Sequence, residues 1–230
     1  MMQQMKNPLS FCIIVPDISM SLKSGQIMKD SAKEHGLNDV ALFFGTTPRQ
    51  RDPLDVFKEE GLDPSNFLTN TFSRIPEAMC CFLSHYYLWK KCANNDVPFI
   101  IFEHDARFIT EFDPRIIEQT THVCSFGKPS YGKYRKTNKK GAQSLFSKDY
   151  FPGAHSYVIT PQGAQSLLKR AKSVAPEPTD VFLHKKTFPF LQEWNPWMTE
   201  VNETFTTVQS VNGIQAKHGY QSNPNEYELI

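Results

Sequence analysis

Val97-Pro98-Phe99-Ile100-Ile101-Phe102-Glu103-His104-Asp105 is the stretch whose reading decides the fold. Its apolar run is short, and turn-forming residues precede it, so it reads as a buried strand. The run stops abruptly at an acidic triplet. Side chains alternate along a strand, so Glu103 and Asp105 are expected to point one way and His104 the other. Two carboxylates at the end of a buried strand are costly unless they are paired, solvated or bound to a cation. Hard oxygen ligands there suit Mg²⁺ or Mn²⁺, which in turn suits phosphate. Plain capping by the same acids is the competing reading.

Working outward, the residues before this strand give the clearest helix in the chain. Met79, Phe82, Leu83, Tyr86, Trp89 and Ala93 recur at three- and four-residue spacing from Pro76 onward. Further upstream, Phe11 to Val15 reads as a strand, Ser24 to His35 as a helix stopped by Gly36, and Val40 to Phe44 as a second strand. Strand, helix and strand within so few residues form a βαβ unit. Downstream, His122 to Phe126 and Ala154 to Ile159 read as strands. Thr160-Pro161 opens a helix with a cap and a proline at the first helical position. A short helix is expected at Thr179 to Leu183 and a late strand at Phe205 to Val208. Alternating strands and helices imply an α/β fold whose ligands sit beyond the carboxyl ends of the strands.

The 230 residues suffice for one well-packed domain, and 18 phenylalanines argue for an ordered core. No apolar run is long enough to span a bilayer, and the first ten residues lack a signal-peptide core. The five cysteines lie within apolar runs and form no C-x-x-C pair, so reduced core thiols in a cytoplasmic setting are expected. Net charge is only +1, yet seven cations and no acid lie between Lys128 and Lys148. Tyr131 and Tyr134 interleave with Lys133, Arg135 and Lys136 there, a pattern that suits a nucleic-acid backbone, a diphosphate or a solvated loop. No G-x-G-x-x-G or Walker A loop is present, which removes dinucleotide dehydrogenases and P-loop NTPases.

Cys81-Phe82-Leu83-Ser84-His85-Tyr86-Tyr87-Leu88-Trp89 followed by the strand ending Glu103-His104-Asp105 resembles the family 25 glycosyltransferases. That family's pattern is a C-x-x-S-H-x-x-x-W helix leading into a strand that ends Glu-Asp-Asp. Ala154 to Ala164 is similar to its Gly-x-x-Tyr segment, and Pro178 to Leu183 to its Pro-x-Asp segment. Two features depart from the family: His104 replaces the middle acid, and Pro16-Asp17-Ile18-Ser19 stands where a basic motif follows the first strand.

The resemblance implies a GT-A-like, Rossmann-type domain with a mixed, mostly parallel sheet flanked by helices. It implies a nucleotide-sugar donor, expected to be UDP-linked, bound with Mn²⁺ or Mg²⁺. Residues 11–126 would form the nucleotide-sugar half. Residues 127–230, with the basic loop 128–148, would form the acceptor half. Glu103 and Asp105 would hold the metal, and His218 would close its shell or lie on a surface loop. Ser84 and His85 would face the donor or fill the core. Asp180 would serve as general base, as a helix cap, or as both. Lys133, Tyr134, Arg135, Trp194 and Trp197 are the candidate acceptor contacts, with core packing the alternative for the tryptophans. The acceptor is a surface glycan or a hydroxymethylated base in DNA; a phage-encoded chain would then act in the host cytoplasm. A non-catalytic module that binds nucleotide-sugar or glycan is the alternative function.

Overall fold

The computed structural model describes residues 7–69, 74–202 and 207–208. In chain order the elements are β1 (Leu9–Ile14), α1 (Ser19–Glu34), β2 (Val40–Phe44), α2 (Pro53–Glu60), α3 (Ser65–Leu68), α4 (Ile75–Ala93), β3 (Phe99–Glu103) and β4 (Ala106–Phe108). They continue with α5 (Arg115–Gln119), β5 (Val123–Ser125), β6 (Gly141–Ser144), β7 (Ser156–Ile159), α6 (Pro161–Ala171), α7 (Thr179–Phe182), β8 (Leu191–Asn195) and β9 (Thr199–Val201).

Seven strands form one sheet in the order β2-β1-β3-β7-β5-β8-β6, and β4 and β9 form a separate ribbon. β2, β1 and β3 run parallel, as do β5 and β8, whereas β7 and β6 run against their neighbours. Five strands therefore share one direction, and the sheet is mixed and mostly parallel, flanked by helices, as expected. β7 lies between β3 and β5. Strands from both sides of residue 126 thus build the same sheet.

The central strand β3 is apolar because both of its faces are covered. Phe99 and Ile101 join the core shared with α4 and α6. Ile100 and Phe102 join the opposite core, with Met28 of α1 and Ile116 of α5. Each of these side chains is essentially inaccessible and contributes about 1.5–3 kcal/mol through burial. The same alternation turns Glu103 to the α4 side.

The Thr160 cap is present: its Oγ1 accepts from the Gly163 amide at 3.1 Å. Gly163 also brings α6 against the backbone of His122, because a Cβ there would lie 2.3 Å from the His122 carbonyl oxygen. A glycine-to-alanine change inside a helix ordinarily stabilises by about 1 kcal/mol. Gly163→Ala is instead expected to destabilise by about 1–3 kcal/mol through overpacking, read from the midpoint of a urea melt. The late strand expected from Phe205 falls mostly outside the described residues.

Candidate functional site

The site is built at the carboxyl end of β3. The Glu103 amide bonds the His155 carbonyl at 2.9 Å, which fixes the strand end against β7. Helix α4 supplies Ser84, His85 and Trp89, and the four-residue spacing of the last two puts them on one face. Trp89 Nε1 donates to the Tyr157 hydroxyl at 2.9 Å. That hydroxyl lies 2.8 Å from His85 Nδ1, and His85 Nε2 lies 3.1 Å from Glu103 Oε1. An indole only donates and a carboxylate only accepts, so one assignment satisfies every member. In that assignment His85 Nε2 donates to Glu103, and Nδ1 accepts from the Tyr157 hydroxyl. Burial pushes the Tyr157 phenol well up, so it stays protonated. The S-H-x-x-x-W helix and the tyrosine of the Gly-x-x-Tyr-like segment thus meet in one relay ending on Glu103.

Burial opposes the charge on Glu103, but the hydrogen bond donated by His85 outweighs it. The Glu103 carboxyl is held below the usual carboxylate range.

The expectation that Asp105 alternates with Glu103 on one strand is corrected. β3 ends at Glu103, and the chain turns through His104 and Asp105 into β4. The turn is held by the His104 carbonyl, which accepts from Ser24 Oγ at 2.8 Å and Arg107 Nη1 at 3.0 Å. The Asp105 carbonyl accepts from the Asn202 amide at 2.8 Å. Asp105 still bears on the same neighbourhood. Its charge acts on His155 together with that of Glu103, and it also acts on Arg107. Burial keeps His104 and His155 neutral by pushing both imidazoles down.

Asp180 lies in the first turn of α7, one residue inside its start. Its Oδ1 accepts from the Val181 amide at 3.0 Å, so it serves the turn from within rather than as the N-cap, which is Pro178. Its Oδ2 accepts from the Tyr131 hydroxyl at 2.5 Å. Burial raises the Asp180 carboxyl and the charge of Glu103 adds to that, while the Tyr131 bond opposes it; the net shift is upward. Tyr131 is pushed far up by burial and by Asp180. The thiol of Cys81 registers burial and then the charges of Glu103, Asp180 and Asp105, all of which raise it. Carboxylates from two segments, the β3–β4 turn and α7, therefore act on Cys81.

The remaining candidates separate. Ser84 Oγ donates to the Cys80 carbonyl at 2.7 Å and accepts from the Thr46 amide at 3.0 Å; it ties α4 to the end of β2. Lys133, Tyr134 and Arg135 line a pocket with Lys148, Asp149 and Tyr150. Trp194 is 2 % exposed and belongs to the core beside Phe126 and Met198; its ring offers no open face. Trp197 is half-buried, with its ring perpendicular to Tyr134 at 5.4 Å between centroids. His218 lies outside the described residues. All five cysteines are free thiols.

Sequence reasoning missed His155, Cys81 and Tyr157 as site residues. His155 is 2 % exposed, and its Nδ1 donates to the Gly153 carbonyl at 2.6 Å. A Cβ on Gly127 would lie 2.4 Å from its Nε2, so only glycine fits opposite it. Cys81 and Tyr157 were visible as letters of the family-like segments; their convergence was not.

The donors can be tested against a metal. Cys81, His85 and Glu103 bring ligand atoms within 4.8 Å of one another. That trio suits a hard cation poorly: the thiol is held protonated, and both His85 nitrogens are already bonded. The carboxylate oxygens of Glu103 and Asp105 have the right chemistry for Mg²⁺ or Mn²⁺. No helix among the described residues is long and apolar enough to cross a membrane.

The family model described as "Glycosyltransferase family 25 (LPS biosynthesis protein)" matches residues 75–183. The lipooligosaccharide biosynthesis protein lic2B of Haemophilus influenzae is 38 % identical over 52 % of this chain and 53 % of its own length. Procollagen galactosyltransferase 1-A of Xenopus laevis is 29 % identical over 46 % of this chain and 19 % of its own length. A glycosyltransferase 25 family member of Aedes aegypti is 29 % identical over 45 % of this chain and 18 % of its own length. The chain thus spans about half the length of the bacterial relative and under a fifth of the two animal ones. The matched segment carries the His85 relay, the turn of Glu103 to Asp105 and the Asp180 helix, and over those residues the chain is similar to glycosyltransferase family 25.

Proposed function

We propose that this chain transfers a sugar from a nucleotide-sugar, UDP-linked, to a hydroxyl group of a glycan. The observation that carries the reading is a pair of carboxyls tied to different partners, Glu103 Oε1 to His85 Nε2 at 3.1 Å and Asp180 Oδ2 to the Tyr131 hydroxyl at 2.5 Å, with the ionisation of Glu103 pushed down and that of Asp180 pushed up. Such divergence assigns separate roles. Glu103 stays charged and serves electrostatics. Asp180, with its affinity for protons raised, takes the proton from the acceptor hydroxyl as the new bond forms.

Glu103 and Asp105 are the residues that would hold a divalent cation, Mn²⁺ or Mg²⁺, which when bound neutralises charge on the leaving diphosphate. His85 does not contact substrate in this scheme. It fixes one Glu103 oxygen and leaves the other for the cation or the donor. Tyr131 holds Asp180 until an acceptor hydroxyl takes its place on Oδ2.

The relatives' names point to lipooligosaccharide and procollagen acceptors, and we assign a glycan to this chain. The cations of the basic segment support that choice over duplex DNA. Lys128 is paired with Glu200 at 2.9 Å and Arg135 with Asp149 at 3.2 Å, which interrupts a continuous track for phosphates.

The test is a thermal-shift screen of nucleotide-sugars with and without Mn²⁺. A UDP-sugar with Mn²⁺ at 100-fold over its Kd is expected to raise Tm by about 5–10 °C, with slow release of UDP. A screen in which no nucleotide moves Tm sinks the proposal.

A further inference from the structure

The basic segment folds a shallow pocket of about 460 Å³, within the size range of small-ligand sites. Lys133, Arg135 and Lys148 lie on its wall with Tyr134 and Tyr150, and Asp149 is its one acid. That acid is already matched twice, by Arg135 and by Lys185 at 2.6 Å. Among the described residues no acid is paired with Lys133 or Lys148. Lys148 lies 4.8 Å above the ring of Tyr131 and 5.2 Å above that of Tyr150. Such contacts orient an ammonium group without cancelling its charge. The pocket therefore combines surplus positive charge with aromatic faces.

Its position adds the second argument. Lys148 sits over the same Tyr131 whose hydroxyl occupies Asp180 Oδ2. The pocket is one side chain away from the candidate base.

We propose that this pocket is the acceptor subsite and that it selects a saccharide bearing an anionic oxygen group, phosphate or carboxylate. The inference rests on the transferase reading above. Lys133 and Lys148 hold the anionic group, Tyr134 and Tyr150 flank the ring, and a free hydroxyl of the same saccharide displaces that of Tyr131 from Asp180. The glycosyl bond forms at that hydroxyl oxygen, its proton passes to Asp180, and the nucleoside diphosphate leaves with the electron pair of the broken bond. Neutral sugars lack the charge to compete.

Calorimetric titration of the chain tests this with glucose 6-phosphate, glucuronate, glucose, inorganic phosphate and a short DNA duplex. At least one acidic sugar is expected to bind about 10-fold or more tightly than glucose. Lys148→Gln and, separately, Lys133→Gln are each expected to weaken that binding about 10-fold, as one charge-assisted bond lost. Which acidic sugar binds distinguishes the phosphate from the carboxylate source. Equal binding of glucose overturns the assignment, as does inorganic phosphate binding as tightly as the sugar phosphate. Displacement by UDP would hand the pocket to the donor, and tighter binding of the duplex would hand it to nucleic acid. The thermal response of the unmutated chain to UDP and Mn²⁺ separates the two readings. A response without preference for acidic sugars overturns the acceptor assignment alone.

Discussion

Asp180→Asn is expected to lower the transfer rate about 10²–10⁴-fold, the usual contribution of a positioned general base. The amide keeps the size of the side chain: its oxygen still accepts from the Val181 amide, and its NH2 can donate to the Tyr131 hydroxyl, so the fold survives. Donor binding, read by thermal shift, is expected to persist because Glu103 and Asp105 are untouched. The pH profile gives an independent check. A base works only when deprotonated, so kcat/KM rises with pH through the Asp180 pKa. Burial and the Glu103 charge raise that pKa above its ordinary value of 3.8, and the acidic limb is displaced upward with it. Tyr131→Phe deletes the one side-chain bond that lowers the Asp180 pKa, so the limb should move to still higher pH. Undiminished turnover in the Asp180→Asn variant would remove Asp180 from the chemistry.

Glu103→Gln has the second largest expected effect. Glutamine retains an oxygen to accept from His85 Nε2, so the relay through Tyr157 and Trp89 stays satisfied and the melting temperature should change little. The lost negative charge, in contrast, is expected to cost about 10²–10³-fold in rate, the scale of removing one preorganised electrostatic contact. The Mn²⁺-dependent part of the thermal shift should vanish. Glu103→Ala differs informatively: it also strands the His85 N–H, and an unsatisfied buried donor costs about 1–3 kcal/mol. Activity and stability then fall together in the alanine variant but separately in the glutamine variant. If the glutamine variant retains its response to Mn²⁺, Glu103 is a structural residue and the metal reading fails.

Much of the framework was legible because it rests on strong, local periodicity. Val40 to Phe44 is the strand expected, α4 follows its apolar three-and-four spacing, and Thr160 caps α6 through Gly163. The missed elements lack such a signal. β6 reads Gly-Ala-Gln-Ser, and β4 and β9 have three residues each. These strands exist because a partner supplies the ladder: β8 for β6, and each other for β4 and β9. Period-two reasoning failed at Asp105 for a related reason. A turn fixed by Ser24 and Arg107, the first far away in sequence, ends the strand earlier than alternation required. Tertiary contacts likewise decide the site. Nothing near Tyr131 in sequence announces that its hydroxyl reaches Asp180, forty-nine residues on. Trp194 shows the limit of composition: an aromatic residue in a polar strand fits a stacking face or the core, and packing beside Phe126 and Met198 decides for the core.

The place of β7 between β3 and β5 has a consequence for biosynthesis. On the ribosome, β1, β2, β3 and β5 emerge first, but until residue 159 has left the exit tunnel nothing joins β5 to the first three strands. The newborn chain therefore carries an apolar, unpaired margin along β3, the kind of margin that templates aggregation. Ribosome-stalled chains ending near residue 140 should bind a chaperone that completed chains release, and the zipping of β7 marks the moment of escape.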